Sequence, residues 1–561
     1  MTASKDNQTA NIYLSDTHEV VNQPTPLENY NAYKSDGVLK HWVATFDGQW
    51  ANDAITDYGQ KVGHELLKAG FLANKHKPEF HSHNRFGHRI DEIEYHPAYH
   101  QLMQSAIEAG HHSLPWLQPQ KGAHVARAAI AYLHTQADPG SGCPLTMTFA
   151  SVPAIKHQAD LAEQWLPKIL AQEYDPRNVP FYEKQGVTIG MAMTEKQGGS
   201  DVRANTTKAY PINEAGPGKA YQLVGHKWFC SAPMCDAFLV LAYSEGGLSC
   251  FLLPRWRPDG SKNAMHIQRL KNKMGNVSNA SSEVEFRGAF AWMLGAEGRG
   301  VRTIIEMVAM TRFDCMVGSS SIMGLAAAQA LHHTSGRSAF GRNLHQQPLM
   351  QNVLADLAIE SEAALAISMR LAHALDHQQD EQQMLLARIG SAVGKYWICK
   401  RAAQHTYECM ESIGAVGLIE DNVLARLYRE APVNAIWEGS GNIQCLDVLR
   451  AMQKESGSIE AFIDEIEQVK GSDKELDKRV EQIKAQLSAP SQWEFTARSL
   501  VESLALCWQS ATLLRWGDDD VATAFLQSRI HRHGGYQYGT LPSGIDCAAI
   551  IQRAQPTLEL D

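Results

Sequence analysis

The stretch "GMAMTEKQGGSDVRANTTKA", residues 190–209, decides how the chain is read. An apolar lead-in runs as a strand into Thr194-Glu195 and then into Gln197-Gly198-Gly199-Ser200-Asp201. It holds neither G-x-x-x-x-G-K-[ST] nor the G-x-G-x-x-G of a dinucleotide-binding turn. Adjacent glycines permit positive φ and close backbone approach, so successive N–H groups can converge on an anion. Ser200 adds a hydroxyl, and Thr194 can donate to a planar heterocycle held against the strand end. A ligand with a flat ring and a pyrophosphate suits this better than a bare nucleotide. An ordinary Gly-Ser hairpin loop fits the same residues, and the stretch alone favours that loop over the ligand reading.

Outward from it, the texture of residues 187–290 is that of strands. "VTIGMAM", "YQLVGHKWFCS", "FLVLAY", "SCFLLP" and "SSEVEF" are short, rich in β-branched and aromatic residues, and separated by Gly, Asn, Pro or Asp. Their number predicts a small barrel or sandwich. On either side apolar residues recur three and four apart, the helical period. Upstream this covers 26–186, after a polar arm over 1–25. Downstream, 291–450 reads as a bundle of long helices with Gly, Ala and Ser faces. A further helical block follows over 451–561. The expected fold is mainly α with a central β-barrel or sandwich domain.

Composition narrows the class. A length of 561 residues predicts several domains. The net charge of −10 gives no overall attraction to nucleic acid or anionic lipid, although a local basic face is allowed. Ten cysteines without a C-x-x-C pair read as free thiols. No signal peptide or spanning run is read, so the expectation is a cytoplasmic protein with no membrane partner. "HSHNRFGH" (81–88) and "GHHS" (110–113) lack a metal-ligand frame and read as surface or capping histidines; no metal is expected.

Further segments fall in a fixed order. "GHKWFCSAP" (225–233) carries Phe229 and Ser231, "GRSAFG" (336–341) carries Arg337 and Phe340, and "ARLYREAPVNAIWEGSGNI" (425–443) carries Glu438. Together with "MTEKQGGSDV" and "MTRFDC" they resemble the acyl-CoA dehydrogenase flavoenzyme family over about residues 100–454, with the greatest similarity to its AidB, or adaptive alkylation-response, branch. The resemblance implies helical, β and bundle domains with an added C-terminal domain, and an FAD cofactor. It puts Met193 and Thr194 along the flavin, Gly199 and Ser200 at the pyrophosphate, Phe229 over the ring, and Ser231 at N5. Trp437, Ser440 and Asn442 would also face the cofactor. Arg337 and Phe340 would reach the FAD of a neighbouring subunit, which implies a homo-oligomer, commonly a tetramer.

The implied chemistry removes an α-proton from an acyl thioester while hydride leaves the β-carbon. Glu438 falls where the family places its catalytic base, and burial beside Trp437 would raise its pKa into a working range. By its residues alone "EGSGNIQCL" reads as a helix start, with Glu438 as an N-cap acid in its first turn. Arg312 matches an arginine near the family's active site. A buried arginine needs a partner, and Glu438 or Asp314 is the expected one. Three departures stand out: Ala309 where many members have an acid, Trp437 for the commoner tyrosine, and Glu411 for glutamine. They predict weak activity on short or branched acyl-CoA of the isovaleryl type.

The branch resemblance further implies double-stranded DNA binding and protection against alkylation damage, through the C-terminal block. That block holds 11 Lys and Arg against 17 Asp and Glu, net −6. Its candidate phosphate contacts are Arg515, Arg529 and Arg532, with Arg450 at the junction. Strengthened oligomer contacts are the other role open to the block. A metabolic FAD-dependent dehydrogenase without DNA binding is the alternative function, and an alkylating agent the alternative small substrate.

Overall fold

A computed structural model describes residues 17–558. The flexible-arm reading of 1–25 therefore falls largely outside the described residues. The described end is irregular chain fastened at Asn22, whose side chain accepts from the Ser338 N–H (2.7 Å) and donates to the Ser338 carbonyl (2.8 Å).

The amino-terminal part is helical as read, with one addition. Strands β1 (Glu79–His83) and β2 (Arg89–Glu94) form an antiparallel hairpin inside it. "HSHNRFGH" is thus hairpin strand and turn. Two helices of this part matter for the site: α1 (Ala123–Ala137) and α2 (Pro139–Ile155). α1 is buried along nearly its whole length, which its alanines allow by letting neighbouring backbones approach closely.

Seven strands follow: β3 (Ile189–Ala192), β4 (Lys208–Pro211), β5 (Ala220–Ser231), β6 (Ala237–Ser244), β7 (Gly247–Pro254), β8 (Met265–Leu270) and β9 (Ser281–Leu294). The pairing order β6–β4–β5–β9–β7 returns to β6, so the sheet closes into a small barrel. β3 adds to β6 in parallel and β8 to β9 antiparallel. β6 and β7 are buried at nearly every position, because barrel and helices cover both their faces, and they read as continuous apolar runs. β5 alternates instead, one face inward and one toward solvent or the cavity.

The bundle is built on α3 (Gly300–Gly336), α4 (Pro348–Leu375) and α5 (Glu381–Ile413), followed by α6 (Gly441–Lys454). The last block contributes α7 (Ser458–Glu467), α8 (Lys474–Leu487), α9 (Trp493–Trp516) and α10 (Cys547–Ala554); α7, α9 and α10 pack on the bundle and α8 packs on α9. One hydrophobic core runs from Ala32 through the bundle to Ile551, and a second fills the barrel and its contact with α2. The site lies where the two meet. All ten cysteines are free thiols, and among the described residues no helix is long and apolar enough to cross a membrane.

Candidate active site

One wall comes from the barrel rim. β3 stops at Ala192, so Met193 and Thr194 emerge at a strand end, and Glu195 turns inward to meet Lys227 (3.0 Å). Lys227 also donates to the Leu241 carbonyl (2.9 Å), while the Thr206 and Thr207 hydroxyls donate to Glu195. Burial alone would raise the Glu195 pKa, but Lys227 and Thr207 outweigh it and hold the carboxylate well below its usual range. This buried pair anchors the strand end that presents Thr194. The Thr194 carbonyl accepts from the Trp228 N–H (2.8 Å). Between Lys227 and Cys230 the β5–β9 register shifts, leaving Trp228 and Phe229 outside the ladder. Such a bulge re-aims side chains, and Phe229 faces the cavity from it. Ser231, two residues on, lies 3.0 Å from Ser281, Oγ to Oγ. A Cβ at Gly199 would come within 2.4 Å of Thr194 Oγ1, so only glycine leaves that hydroxyl clear.

The opposite wall is helical. Val301, Ile304, Val308, Thr311, Cys315, Gly318 and Ile322 of α3 line the cavity at helical spacing, a run of about 30 Å at 1.5 Å per residue. Glu438 sits in the loop before α6 with φ of 57°, a conformation costly for a non-glycine residue and held only by its surroundings. Lys395 of α5, buried, donates to the carbonyls of Asn434 (3.0 Å), Trp437 (2.9 Å) and Gly439 (2.8 Å). Gln444 donates to those of Glu438 and Gly439, and Arg312 Nε to that of Glu438 (3.1 Å). The loop is thus pinned from three sides. The carboxylate itself accepts from Thr311 Oγ1 at 2.8 Å. Burial pushes the Glu438 pKa up, against the Thr311 hydrogen bond and the positive charges of Lys395 and Arg312. It does not cap α6, whose N-cap is Ser440.

The expected partner of Arg312 needs correction. Its guanidinium pairs with Asp447 (2.7 Å), which also takes Arg388 (3.0 Å). Asp314 is instead held by buried Arg127 and by Thr146 (2.5 Å). The carboxylate of Glu438 is therefore left to Thr311 rather than locked in an ion pair.

These walls enclose a cavity of about 820 Å³, within the size range of small-molecule sites. Met193, Thr194, Gly199, Ser200, Phe229, Ser231, Arg312, Trp437, Glu438 and Ser440 all line it. Asn442 does not; it accepts from Arg498 Nε (2.8 Å) on the outside of α6. Arg337 and Phe340 also lie away from this chain's own cavity, on a hairpin whose Phe340 is 98% exposed. Of the DNA candidates, Arg450 stands exposed at the cavity wall with one nitrogen 3.6 Å from Asp447, and Arg532 is exposed. Arg515 meets Glu465 (3.3 Å), and Arg529 is engaged by Asp356 (2.5 Å) and Glu360 (2.9 Å). Arg529 is therefore a tie between elements and not a free phosphate contact. His111 and His112 are buried, not on the surface; burial first and Arg127 second hold His111 well below the usual histidine range. Among the described residues no group of three or more His, Cys, Asp or Glu is placed to hold a metal. Thr311, Lys395, Glu195 and Lys227 were missed from the sequence; a buried lysine and a hydroxyl carry no local motif.

Known proteins resemble the chain in sequence and in fold. Residues 22–176 match the family described as adaptive response protein AidB N-terminal domain, residues 190–289 the acyl-CoA dehydrogenase middle domain, and residues 298–453 the acyl-CoA dehydrogenase C-terminal domain. AidB of Escherichia coli (strain K12) is 44% identical over 522 residues, covering 92% of this chain and 95% of that one. The crystal structure of Caenorhabditis elegans ACDH-11 in complex with C11-CoA superposes with a TM-score of 0.82 at 24% identity, covering 100% of this chain and 96% of that one. A Bacillus anthracis acyl-CoA dehydrogenase complexed with FAD gives a TM-score of 0.64 at 16% identity, covering 98% and 96%.

Proposed function

Because the chain belongs to the acyl-CoA dehydrogenase family, we propose that its cavity seats FAD along the barrel rim and that Glu438 is the base of an α,β-dehydrogenation of an acyl thioester. FAD-dependent oxidation of CH–CH groups is the chemistry of that family. The observation that carries the assignment of residues is a single cavity shared by the strand-end threonine, the glycine cradle and a carboxylate on the facing wall. Bound FAD supplies the hydride acceptor. Thr194, the backbone at Gly199 and Ser200, Phe229 and Ser231 would hold it, the threonine hydroxyl toward the ring edge, the glycine-serine backbone toward the diphosphate, Phe229 over the ring and Ser231 toward its reactive nitrogen. Glu438 takes the α-proton from the opposite side. Arg312 acts on the loop carbonyl and keeps the carboxylate in place.

Glu438→Gln tests this. Anaerobic titration with isovaleryl-CoA bleaches the wild-type flavin, and the variant loses roughly 10²–10⁴-fold in bleaching rate with its FAD spectrum retained. Bleaching at the wild-type rate removes Glu438 from the chemistry. Turnover on short or branched thioesters is weak, because the indole of Trp437 is fixed by Asn434 (2.9 Å) and narrows the acyl slot.

The assembly is a homotetramer. Support comes from Phe340, Leu349 and Leu418, exposed apolar side chains at 98%, 85% and 71%, and from the position of Arg337 and Phe340 away from their own cavity. Double-stranded DNA is the second partner, in a response to alkylation damage. That part rests on the similarity to the adaptive-response branch and on the exposed guanidiniums of Arg450 and Arg532. With Arg515 and Arg529 taken up by acids, few phosphates are neutralised. The logarithm of the affinity should fall with that of salt at a slope near −2 per protomer, from about −0.9 per contact. A gel-shift series reads it, and no shift at low salt returns the protein to the metabolic reading without DNA.

A further inference from the structure

The barrel wall of the cavity carries a hydrogen-bonded file that the base does not use. Ser231 ends β5 and Ser281 opens β9, and the two are cross-strand partners with their hydroxyls 3.0 Å apart. Lys273, in the loop after β8, donates to Ser281 Oγ (2.7 Å) and to the Asn279 carbonyl (2.8 Å). All three side chains line the cavity. Lys273 is half-buried, and its hydrogen bonds go to a hydroxyl and a carbonyl rather than to a carboxylate.

The titratable groups facing Lys273 are Cys143 on α2 and Glu430 at the end of the helix Val423–Glu430. Burial pushes the Cys143 thiol up to about 12 and Glu430 up to about 7, and brings Lys273 down to about 8. As pH rises, Glu430 ionises first and favours the ammonium; Lys273 then loses its proton while Cys143 is still a thiol.

An ammonium has three donors and no acceptor, whereas each hydroxyl has one proton and two lone pairs. A charged Lys273 must donate to Ser281. Ser281 then gives its proton to Ser231, and the Ser231 proton is left for the cavity. A neutral Lys273 can accept from Ser281, which accepts from Ser231, so Ser231 shows the cavity only lone pairs. One proton is released to solvent in passing between the two arrangements, and no other bond changes. Such files polarise along their length, so the far end senses the near one.

We propose that Lys273 and Ser281 are positioning residues that set the direction of the Ser231 hydroxyl, a donor toward the bound flavin when the lysine is charged and an acceptor when it is neutral. The inference rests on the reading of Ser231 as neighbour of the flavin's reactive nitrogen. That nitrogen accepts a hydrogen bond in the oxidised ring and carries a hydrogen in the reduced one. The charged file therefore favours the oxidised ring and the neutral file the reduced ring.

The test is the visible absorption of the oxidised holoprotein followed between about pH 6 and pH 10. Wild type shows an inflection near the Lys273 value of about 8. Lys273→Met and Ser281→Ala each abolish it, and Lys273→Arg, a permanent donor, keeps the low-pH spectrum throughout. The midpoint potential of the bound flavin changes slope at the same pH in wild type only. An inflection that survives in either Lys273→Met or Ser281→Ala, or is absent from wild type, overturns the file. Ser231→Ala separates the two readings: a spectrum superimposable on wild type at every pH shows that the ring does not sit against Ser231, and the seating fails instead.

Discussion

Glu438 is useful only if it is both dry and free. Dryness raises its pKa, and freedom comes from Asp447 taking the Arg312 charge that would otherwise lock the carboxylate. The Thr311 hydroxyl opposes dryness, because a hydrogen bond to the charged form favours that form. Thr311→Val should therefore raise the Glu438 pKa further. The rate of flavin bleaching rises with pH as the base deprotonates, and in the variant this limb moves to higher pH. Stopped-flow bleaching across the pH range reads the shift; a limb unmoved or moved to lower pH shows that Thr311 does not act on the base. The motif "WEGSGN" made Glu438 legible as a candidate. Thr311 and Lys395 were not legible, because each meets the loop from a distant part of the chain, and Asp447 was not, because the arginines it takes lie on other helices.

At the scale of elements, the barrel was readable where strands were buried on both faces and unreadable where they were short and polar. β6 and β7 announce themselves as apolar runs, whereas β4, β8 and the β1–β2 hairpin have mixed residues whose pairing is decided by neighbours. The small-residue faces of the bundle were legible as close contacts, and α3 shows what they are for. A Cβ at Gly324 would lie 1.9 Å from the Tyr132 hydroxyl of α1, inside the core. Gly324→Ala should force α1 and α3 apart and destabilise the protein by about 1–3 kcal/mol, as overpacking does. Chemical denaturation checks it. A neutral result shows that the helices shift without cost.

For the whole molecule, the added block is part of the body rather than an appendage. Its apolar side chains join the bundle core, with Trp508 and Phe462 packed edge to face at 5.3 Å. Arg529, Arg553 and Arg370 tie it to α4 through Asp356, Glu360, Glu362 and Glu465. Arg529→Met leaves two buried carboxylates short of a partner and should cost about 3–5 kcal/mol. A lowered thermal midpoint with unchanged DNA affinity is the expected pair of results. An unchanged midpoint with weakened DNA binding would make Arg529 a phosphate contact after all.

By itself the sequence determined the order of helical, β and helical regions, the paired glycines after a strand, and the glutamate before α6. Each of these is written in residues a few positions apart, where hydrophobic period and backbone freedom act. Only the tertiary structure decided which acid each arginine meets, that Glu438 is left to a threonine, and that a lysine reaches Ser231 through a second serine. Apart from Lys273 and Ser281, which meet across one loop, those pairings join residues far apart in the chain. They depend on which elements cross at the cavity, and no local pattern encodes a crossing.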